Sequence, residues 1–203
     1  MLLDFDEILK THGLKIKGII HIGAHFGQEF ELYKKHNIQN LMFFEPINST
    51  FQRLKENVGE RAKLLNIALG NFDGEIEMFT ETINQGQSSS VLQPDYHLVQ
   101  HPNIQFNGRE KVKITKLDNF IQEFENYNFI NIDVQGYELE VFKGGSEFLN
   151  HIDYIITEVN RAELYKNCAK VEELDEFLKT YGFERVLTSW AGISWGDALY
   201  IKK

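Results

Sequence analysis

Two acidic residues stand where apolar runs of the sequence end, and both could take part in chemistry. Asp133 follows the run 127–132, and Glu158 follows the run 154–157. If both runs are strands of one parallel sheet, their carboxyl ends meet at one edge, where the two carboxylates converge. Such a pair could orient a nucleophilic hydroxyl, accept its proton, or hold a hard divalent cation. The alternative is that one of the two acids only caps a helix or loop.

Glycines mark the turn after the first apolar run, GIIHIG. Gly23 and Gly27 lie where a strand pattern changes to a helix pattern. Glycine there lets a cofactor approach the backbone, and the start of the helix points N–H groups at a polar ligand. A dinucleotide site needs G-x-G-x-x-G, whereas Ala24, His25 and Phe26 separate these two glycines. The spacing suits a cofactor without a pyrophosphate, such as S-adenosylmethionine, and His25 is an alternative base at the ligand edge.

A third acid ends the second apolar run. Glu45 follows LMFF and comes about twenty residues after the first glycine, where nucleoside-binding sheets place an acid. A carboxylate there can accept hydrogen bonds from both ribose hydroxyls, and Pro46 fixes the turn that aims it. An ordinary surface acid at a strand end is the alternative. The apolar run and the glycine turn together favour cofactor binding.

Five segments, in order along the chain, resemble the FkbM-type methyltransferases. They are 19–27, 43–46, 66–71, 116–118 and 131–145. The last is the most specific, because it joins a strand-end Asp to Val-Gln-Gly-Tyr-Glu. The resemblance implies a Rossmann-like methyltransferase fold, S-adenosylmethionine as the cofactor, and O-methylation, often of a sugar in a glycan or natural product.

The resemblance also implies a set of cofactor contacts at the ends of the strands. The residues concerned are Gly23, Ala24, Gly27, Glu45, Pro46, Asn66, Ile67, Ala68 and Asp133. The chain departs from the family at two positions: His21 replaces the usual acid before the turn, and His25 replaces the usual Asn within it. His21 either contacts the amino-acid end of the cofactor, less strongly than a carboxylate would, or is a buried core residue.

The elements that must position these residues alternate between strand and helix patterns, which predicts βαβ units and a mostly parallel, doubly wound α/β sheet. The predicted strands are 18–23, 40–44, 62–67, 75–80, 111–117, 127–132, 154–157, 183–188 and 198–201. The predicted helices are 27–36, one through 51–55 with caps at 48–50, 137–143 and 171–181. The last two strands have no helix between them, so they should form an antiparallel hairpin. We expect one methyltransferase domain, 1–203.

A long polar stretch, about Asn84 to Arg109, separates two of these strands. A connection of this length inside a domain is usually functional or mobile, so we interpret it as a lid that forms part of the acceptor site. Its three serines, 88–90, could bind adenine or the acceptor, although a flexible polar loop is the commoner explanation. Trp190 and Trp195 could stack on a sugar, or pack within the closing hairpin.

Composition limits the partners. The net charge of -9 disfavours nucleic acid as a substrate, and no apolar stretch is long enough to cross a membrane. The single Cys168 excludes an internal disulfide. The N-terminal region does not resemble a signal peptide, which predicts a soluble protein of the cytoplasm or another intracellular compartment. A sugar, glycan or small-molecule acceptor is expected; the use of a divalent metal and the oligomeric state stay open.

Two other functions compete with methyl transfer. An NAD-dependent oxidoreductase shares the glycine turn and the strand-end acid, but this chain lacks the third glycine and an evident set of residues for hydride transfer. A non-catalytic Rossmann-like binding module is the second alternative. The polar residues kept at every strand end argue against it.

Overall fold

The computed structural model describes residues 1–203, which form two sheets with helices around the larger one. The strands are β1 (Gly18–Ile22), β2 (Asn40–Phe44), β3 (Lys63–Leu65), β4 (Ala68–Leu69), β5 (Gly74–Thr80), β6 (Gly108–Thr115), β7 (Phe129–Ile132), β8 (Tyr154–Asn160), β9 (Phe183–Ala191) and β10 (Trp195–Lys202). The α-helices are α1 (Phe5–His12), α2 (Phe30–Lys35), α3 (Asn48–Val58), α4 (Tyr96–Gln100), α5 (Glu138–Lys143) and α6 (Val171–Lys179). Three 3₁₀ helices span Gly59–Arg61, Leu117–Asn126 and Phe148–His151.

The larger sheet has seven strands in the order β3-β2-β1-β7-β8-β10-β9. In this sheet β3, β2, β1, β7 and β8 pair with one another in parallel, whereas β10 runs antiparallel to both of its neighbours, β8 and β9. The predicted architecture, a mostly parallel sheet with an antiparallel C-terminal hairpin, is confirmed. The chain runs outward from β1 to β3 and later returns to place β7 on the other side of β1. A crevice therefore opens at the carboxyl ends of β1 and β7.

Apolar side chains cover both faces of this sheet, as a parallel sheet with helices on both sides requires. Ile20 and Ile22 of β1 belong to one buried cluster, together with residues of α5 and α6. Ile19 belongs to a second cluster on the opposite face, where α1, α2 and α3 pack. The central strands are thus fixed from both sides, and their carboxyl ends form a rigid base for a site.

The smaller sheet has the order β4-β6-β5, with β4 parallel and β5 antiparallel to β6. Two of its strands correspond to the predicted runs 75–80 and 111–117. The end of the second prediction is wrong, because β6 stops at Thr115 and Leu117 begins a 3₁₀ helix. The predicted strand 62–67 is longer than the observed β3, which covers only Lys63–Leu65, and the next strand, β4, was not predicted and pairs in the smaller sheet.

The strands near the C-terminus are longer than predicted. β8 continues to Asn160 because it pairs with β10 along its whole length, where Asp197 lies opposite Glu158. The prediction that Glu158 ends its strand is therefore wrong. β9 likewise extends to Ala191, and β10 begins already at Trp195, so most of the predicted connection 190–197 is strand.

Helix boundaries also differ from the predictions. The predicted helix 27–36 begins only at Phe30, because Gly27 has φ 76° and cannot belong to a right-handed helix. α3 begins at Asn48 after Ile47, so the predicted caps at 48–50 are its first turn. α1 was not predicted. No helix of the structure is both long enough and apolar enough to span a membrane.

Candidate active site

A cavity of about 720 Å³ opens at the carboxyl ends of β1, β2 and β7. Each of these strands contributes the residues that directly follow it: Gly23, Ala24 and His25 after β1, Glu45 and Pro46 after β2, and Asp133 to Gln135 after β7. Glu158 reaches the same cavity from within β8. The cavity lies at the crossover between β1 and β7, where open α/β sheets bind ligands.

The glycine turn after β1 is pressed against the turn after β7. Gly23 has φ 77°, and a Cβ at this position would lie 1.9 Å from the carbonyl oxygen of Asp133. The N–H groups of Gly23 and Ala24 both donate to the carbonyl oxygen of Phe44, at 3.0 Å. Only glycine allows this approach, so residue 23 fixes the positions of three strand ends relative to one another.

The second glycine has a different role. Gly27 is not among the residues that line the cavity, and a Cβ on it would lie 2.8 Å from Leu54 Cδ1 of α3. His25, between the two glycines, has φ 48°, a region that His, Asn and Asp tolerate better than other non-glycine residues. A His can thus replace the usual Asn here without changing the backbone of the turn.

Glu45 is buried at the end of β2, and its two oxygens hold the neighbouring backbone. One accepts from the N–H of His25 at 3.0 Å, and the other from the N–H of Ile47 at 2.9 Å. Burial raises the pKa of Glu45 to about 8. The two hydrogen bonds act to lower this pKa, and repulsion from Glu110 acts to raise it. Each oxygen keeps a second lone pair, so the carboxylate can also accept from two ligand hydroxyls.

The predicted contacts that follow β3 divide into two groups. Ile67 and Ala68 line the cavity. Asn66 does not; its side-chain amide donates to the carbonyl oxygens of Glu45 and Pro46, both at 2.9 Å. In this structure Asn66 braces the Glu45 turn.

Asp133 and Glu158 lie close together, as expected, and a residue that sequence reasoning missed joins them. The side-chain amide nitrogen of Gln135 donates to Asp133 Oδ1 at 2.6 Å and to Glu158 Oε2 at 3.0 Å. Glu158 Oε1 is buried without a hydrogen-bond partner. Gln135 stands inside the DVQG motif, and this position was the only signal of its role.

A third carboxylate supports this pair from behind. Glu138 is fully buried and does not line the cavity; its Oε1 accepts from the N–H groups of Val134 and Gly136, at 3.0 and 3.1 Å. Carboxylate oxygens of Asp133, Glu138 and Glu158 all lie within 4.8 Å of one another. This spacing is compatible with a hard divalent cation, although Glu138 already holds the turn.

The acids of the site have no Lys or Arg beside them, although the α-ammonium of Met1 lies 3.9 Å from Glu29 Oε1. Five acidic residues line the cavity, namely Glu29, Glu45, Asp133, Glu158 and Asp197, and none of the lining residues is Lys or Arg. Burial, and then repulsion from Asp133, Glu138 and Asp197, raises the pKa of Glu158 well above its ordinary value. Burial also raises the pKa of Asp133, and that of Glu138 to about 7. The cavity therefore favours a cationic ligand.

The predicted lid forms one wall of the cavity. His25 Nε2 lies 2.9 Å from the carbonyl oxygen of Gln85, and His25 Nδ1 lies 2.7 Å from the side-chain amide of Gln28. The tautomer that fits both contacts donates from Nε2 and accepts at Nδ1, which leaves no free lone pair on the ring. The Tyr165 hydroxyl joins the same wall to Gln135, at 2.8 Å from the carbonyl oxygen of Ser88 and 2.7 Å from Gln135 Oε1.

Three aromatic residues complete the cavity and its surroundings; the sequence did not point to the first and left the positions of the other two open. His97 of α4 was not predicted; it is buried, lines the cavity, and its Nδ1 has no partner. Burial lowers the pKa of His97 to about 4, so the ring is neutral near pH 7. Trp195 also lines the cavity, whereas Trp190 packs under the guanidinium of Arg161 at 3.6 Å.

His21 is buried in β1 and lines the cavity with one edge. Its ring lies between Tyr33 and Phe43, with Nδ1 3.3 Å from the Tyr33 hydroxyl. Burial lowers the pKa of His21, so the imidazole is neutral. The structure places His21 in the core with access to the cavity, and its contact with the cofactor stays a prediction.

The fold and the cavity define a Rossmann-like methyltransferase. The model of the Methyltransferase FkbM domain matches residues 21–185. The chain belongs to the FkbM methyltransferase family, which confirms the predicted resemblance and the predicted class, an S-adenosylmethionine-dependent methyltransferase. The oxidoreductase alternative is not supported.

Two curated methyltransferases are similar in sequence. The 2-O-methyltransferase NoeI of Sinorhizobium fredii (strain NBRC 101917 / NGR234) is 30% identical over 192 residues, which span 89% of this chain and 77% of NoeI. The hexuronic acid methyltransferase AglP of Haloferax volcanii is 27% identical over 138 residues, which span 65% of this chain and 52% of AglP. The match to AglP thus covers about half of that protein.

Solved structures share the fold at low sequence identity. Streptococcus pneumoniae Sp1610, provisionally described as a tRNA (m1A22) methyltransferase, superposes with a TM-score of 0.55 at 14% identity, over 100% of this chain and 71% of that one. The methyltransferase domain of a bacterial Hen1, CtHen1-C, gives a TM-score of 0.52 at 12% identity, over 96% of this chain and 93% of that one. These similarities confirm the Rossmann-like methyltransferase fold.

Proposed function

We propose that this protein transfers the methyl group of S-adenosylmethionine to a hydroxyl group of a sugar. The observation that carries the proposal is the convergence of Gly23, Glu45, Asp133 and Glu158 on one cavity at the strand ends. The similarity to NoeI, named as a 2-O-methyltransferase, supports methylation at oxygen. When bound, the cofactor would supply a methyl group on a sulfonium sulfur, and this sulfur would leave as the neutral thioether when an aligned oxygen nucleophile bonds to the methyl carbon.

Residues on the β1 and β2 side of the cavity are assigned to the cofactor. Glu45 receives the ribose hydroxyls through the lone pairs that its backbone contacts leave free. Gly23 and Ala24 form the floor, with His21, Pro46, Ile67 and Ala68 around it. Gly27 and Asn66 act indirectly, by packing against α3 and by bracing the Glu45 turn.

The proton of the acceptor hydroxyl goes to the carboxylate pair on the β7 and β8 side. A carboxyl with a raised pKa is a stronger base once it is ionised, and a nearby positive charge on the cofactor favours the ionised form. The Oε1 atom of Glu158, which has no partner, and the second oxygen of Asp133 are the candidate acceptors. His25 has both ring nitrogens engaged, so we assign it to holding the wall at Gln85.

The charge of the cavity favours an uncharged sugar. The names of the two relatives differ here, because one of them acts on a hexuronic acid. A uronic acid would bring a carboxylate into a cavity that already has five acids and no Lys or Arg in its lining. Like charges in such a site repel, and apart from the α-ammonium of Met1 beside Glu29 the acids have no Lys or Arg to compensate them. His97 and Trp195 instead offer a neutral imidazole and a ring suited to a sugar face.

The test is methyl transfer to matched pairs of nitrophenyl glycosides, each pair being a hexoside and its hexuronide. Product is detected by mass, with Asp133→Asn as the control that ties turnover to this site. We expect the active acceptors to be hexosides, each at least about tenfold faster than its hexuronide, the effect of about 1.4 kcal/mol. A hexuronide turned over as fast as its partner, or a panel without any active hexoside, would contradict the proposed acceptor class.

A further inference from the structure

The amino-acid end of the cofactor carries an α-ammonium, and the strand that usually supplies an acid for it has none here. Residue 21 is a buried histidine whose pKa is lowered by burial, so it has no charge near pH 7. Its Nδ1 faces the Tyr33 hydroxyl, and its Nε2 lies 3.5 Å from the side-chain amide of Asn131. His21 therefore offers a cation no negative charge.

Most of the other cavity acids already have partners. Glu45 accepts two backbone N–H groups, and Asp133 and Glu158 share the Gln135 amide. Asp197 accepts from the N–H of Leu2. The carboxylate of Glu29 differs from these four, because it accepts no hydrogen bond in the structure.

Glu29 lies where an α-ammonium would need a counter-charge. It caps the N-terminus of α2, directly after the glycine turn, and it lines the cavity near His21, Ala24 and Asp133. Glu29, His21 and Asp133 line the same cavity, and the negative charge of Glu29 acts to raise the pKa of the other two. One primary ammonium already lies beside it: the α-ammonium of Met1 is 3.9 Å from Glu29 Oε1.

We propose that Glu29 binds the α-ammonium of the cofactor, so that the charge absent from residue 21 is supplied by the first turn of the next helix. This inference rests on the proposed use of S-adenosylmethionine. The side chain of Glu29 is 20% exposed, so it can turn toward a ligand without leaving a buried position. A purely structural role, in which the carboxylate only stabilises the N-terminus of α2, makes a different prediction for ligands that lack the ammonium.

The experiment pairs a variant with a matching change in the ligand. Glu29→Gln and the parent are titrated by calorimetry with S-adenosylhomocysteine and with its deaminated analogue, which keeps the carboxylate and lacks only the amino group. We expect Glu29→Gln to weaken binding of S-adenosylhomocysteine by about tenfold or more, the range for a charge-assisted hydrogen bond, and binding of the analogue by less than about threefold.

Glu31→Gln is the matched control, because it removes the same charge from an exposed position on α2, and it should leave both affinities unchanged. The inference is overturned if Glu29→Gln binds S-adenosylhomocysteine like the parent, or if both ligands lose affinity equally. Failure of the parent to bind S-adenosylhomocysteine would instead overturn the proposed function, and this inference with it.

Discussion

The side chain of Gln135 joins two carboxylates that would otherwise repel each other. Asp133 and Glu158 are carboxylates that approach each other in a cavity whose lining has no Lys or Arg. The Gln135 amide gives one hydrogen to each, and its oxygen is held by the Tyr165 hydroxyl. The positive φ of Gln135, 56°, turns the side chain back toward the pair. The geometry of the proposed base therefore depends on a neutral residue.

Removal of either carboxylate should affect turnover more than cofactor binding. Asp133→Asn and Glu158→Gln keep the size of each side chain and remove its ability to accept a proton, so turnover should fall by about 10²-fold or more. Methyl transfer and the affinity for S-adenosylhomocysteine are measured on both variants, with Glu75→Gln on the smaller sheet as the control. Near-normal turnover in both variants would place the base elsewhere. Addition of EDTA to the parent separates a metal-dependent reaction, which stops, from a metal-free one.

Glu45 should contribute to cofactor affinity. Glu45→Ala removes an acceptor for the ribose hydroxyls, and we expect binding of S-adenosylhomocysteine to weaken by roughly 1–3 kcal/mol. Calorimetry at one pH measures this loss. Because Glu45 also holds the N–H groups of His25 and Ile47, Asn66→Ala is the informative comparison, as it loosens the same turn without removing the carboxylate. Equal affinity in Glu45→Ala and the parent would refute the assignment.

The segment from Asn84 to Arg109 is attached more firmly than a polar loop suggests. The three serines 88–90 are buried, and Glu81 accepts from the N–H groups of Asn84 and Ser88. The β-bridge between Phe79 and Ser90 closes its first part. The contacts that join this first part to the glycine turn are fewer, with His25 to Gln85 the clearest. We infer that the segment moves as a folded unit.

Hydrogen exchange tests this view of the segment. Amides from 84 to 87 and from 98 to 107 should exchange faster than those of β1 and β7 in the free protein, since fewer backbone bonds protect them. Exchange there should slow when cofactor and acceptor are both bound. His25→Asn is expected to speed exchange near Gln85 and leave β7 unchanged. Protection equal to that of the sheet in the free protein, or no response to the ligands, would argue against a lid.

The sequence predicted the parallel sheet well, because apolar runs such as LMFF end at acids and alternate with helical patterns. It could not predict β4, which has only two residues, or the end of β8, which is set by pairing with β10. The convergence of Asp133 and Glu158 was anticipated from strand order alone. His97 was not, since it reaches the cavity through a long connection whose path no local pattern specifies. Neither was Tyr165, which contacts Gln135 from the segment between β8 and α6.

Part of the acidity of the whole molecule lies in the cavity, which five carboxyl groups line. A net charge of -9 spread over an exposed surface would be screened by salt. Four of the five acids that line the cavity are instead partly or fully buried, and burial raises the pKa of Glu45 and of Glu158. We expect a cationic ligand to reduce the repulsion among these acids.

The shifted pKa values of the buried groups predict how the free energy of unfolding depends on pH. Glu45 titrates near 8 in the folded protein and near its ordinary value of 4.5 when unfolded, so between these values the folded state binds the extra proton and stability falls as pH rises. His97, whose pKa is lowered to about 4, acts in the opposite direction, but only below about 6.5. We therefore expect the free energy of unfolding to fall between pH 6.5 and 8, as measured by urea denaturation.

Glu45→Gln should be less sensitive to pH than the parent across this interval, because it removes one of the groups that lose a proton. The exposed Asp73, whose pKa is lowered, provides a control: it stays ionised in both states above pH 6.5, so Asp73→Asn should shift the free energy of unfolding by a constant amount between pH 6.5 and 8 and leave its slope unchanged. A parent protein that becomes more stable from pH 6.5 to 8 would contradict the raised pKa values of the cavity.

The absence of Lys and Arg from the cavity lining also bears on how the enzyme resets after each reaction. S-adenosylmethionine enters with a sulfonium charge, and S-adenosylhomocysteine leaves without it, while one carboxylate of the pair takes up the proton of the acceptor hydroxyl. The attraction that draws the cofactor in is therefore weakened by the reaction itself. We expect S-adenosylhomocysteine to bind less tightly than S-adenosylmethionine. The loss of the positive charge in the reaction then favours replacement of the product by new cofactor, and product inhibition stays weak.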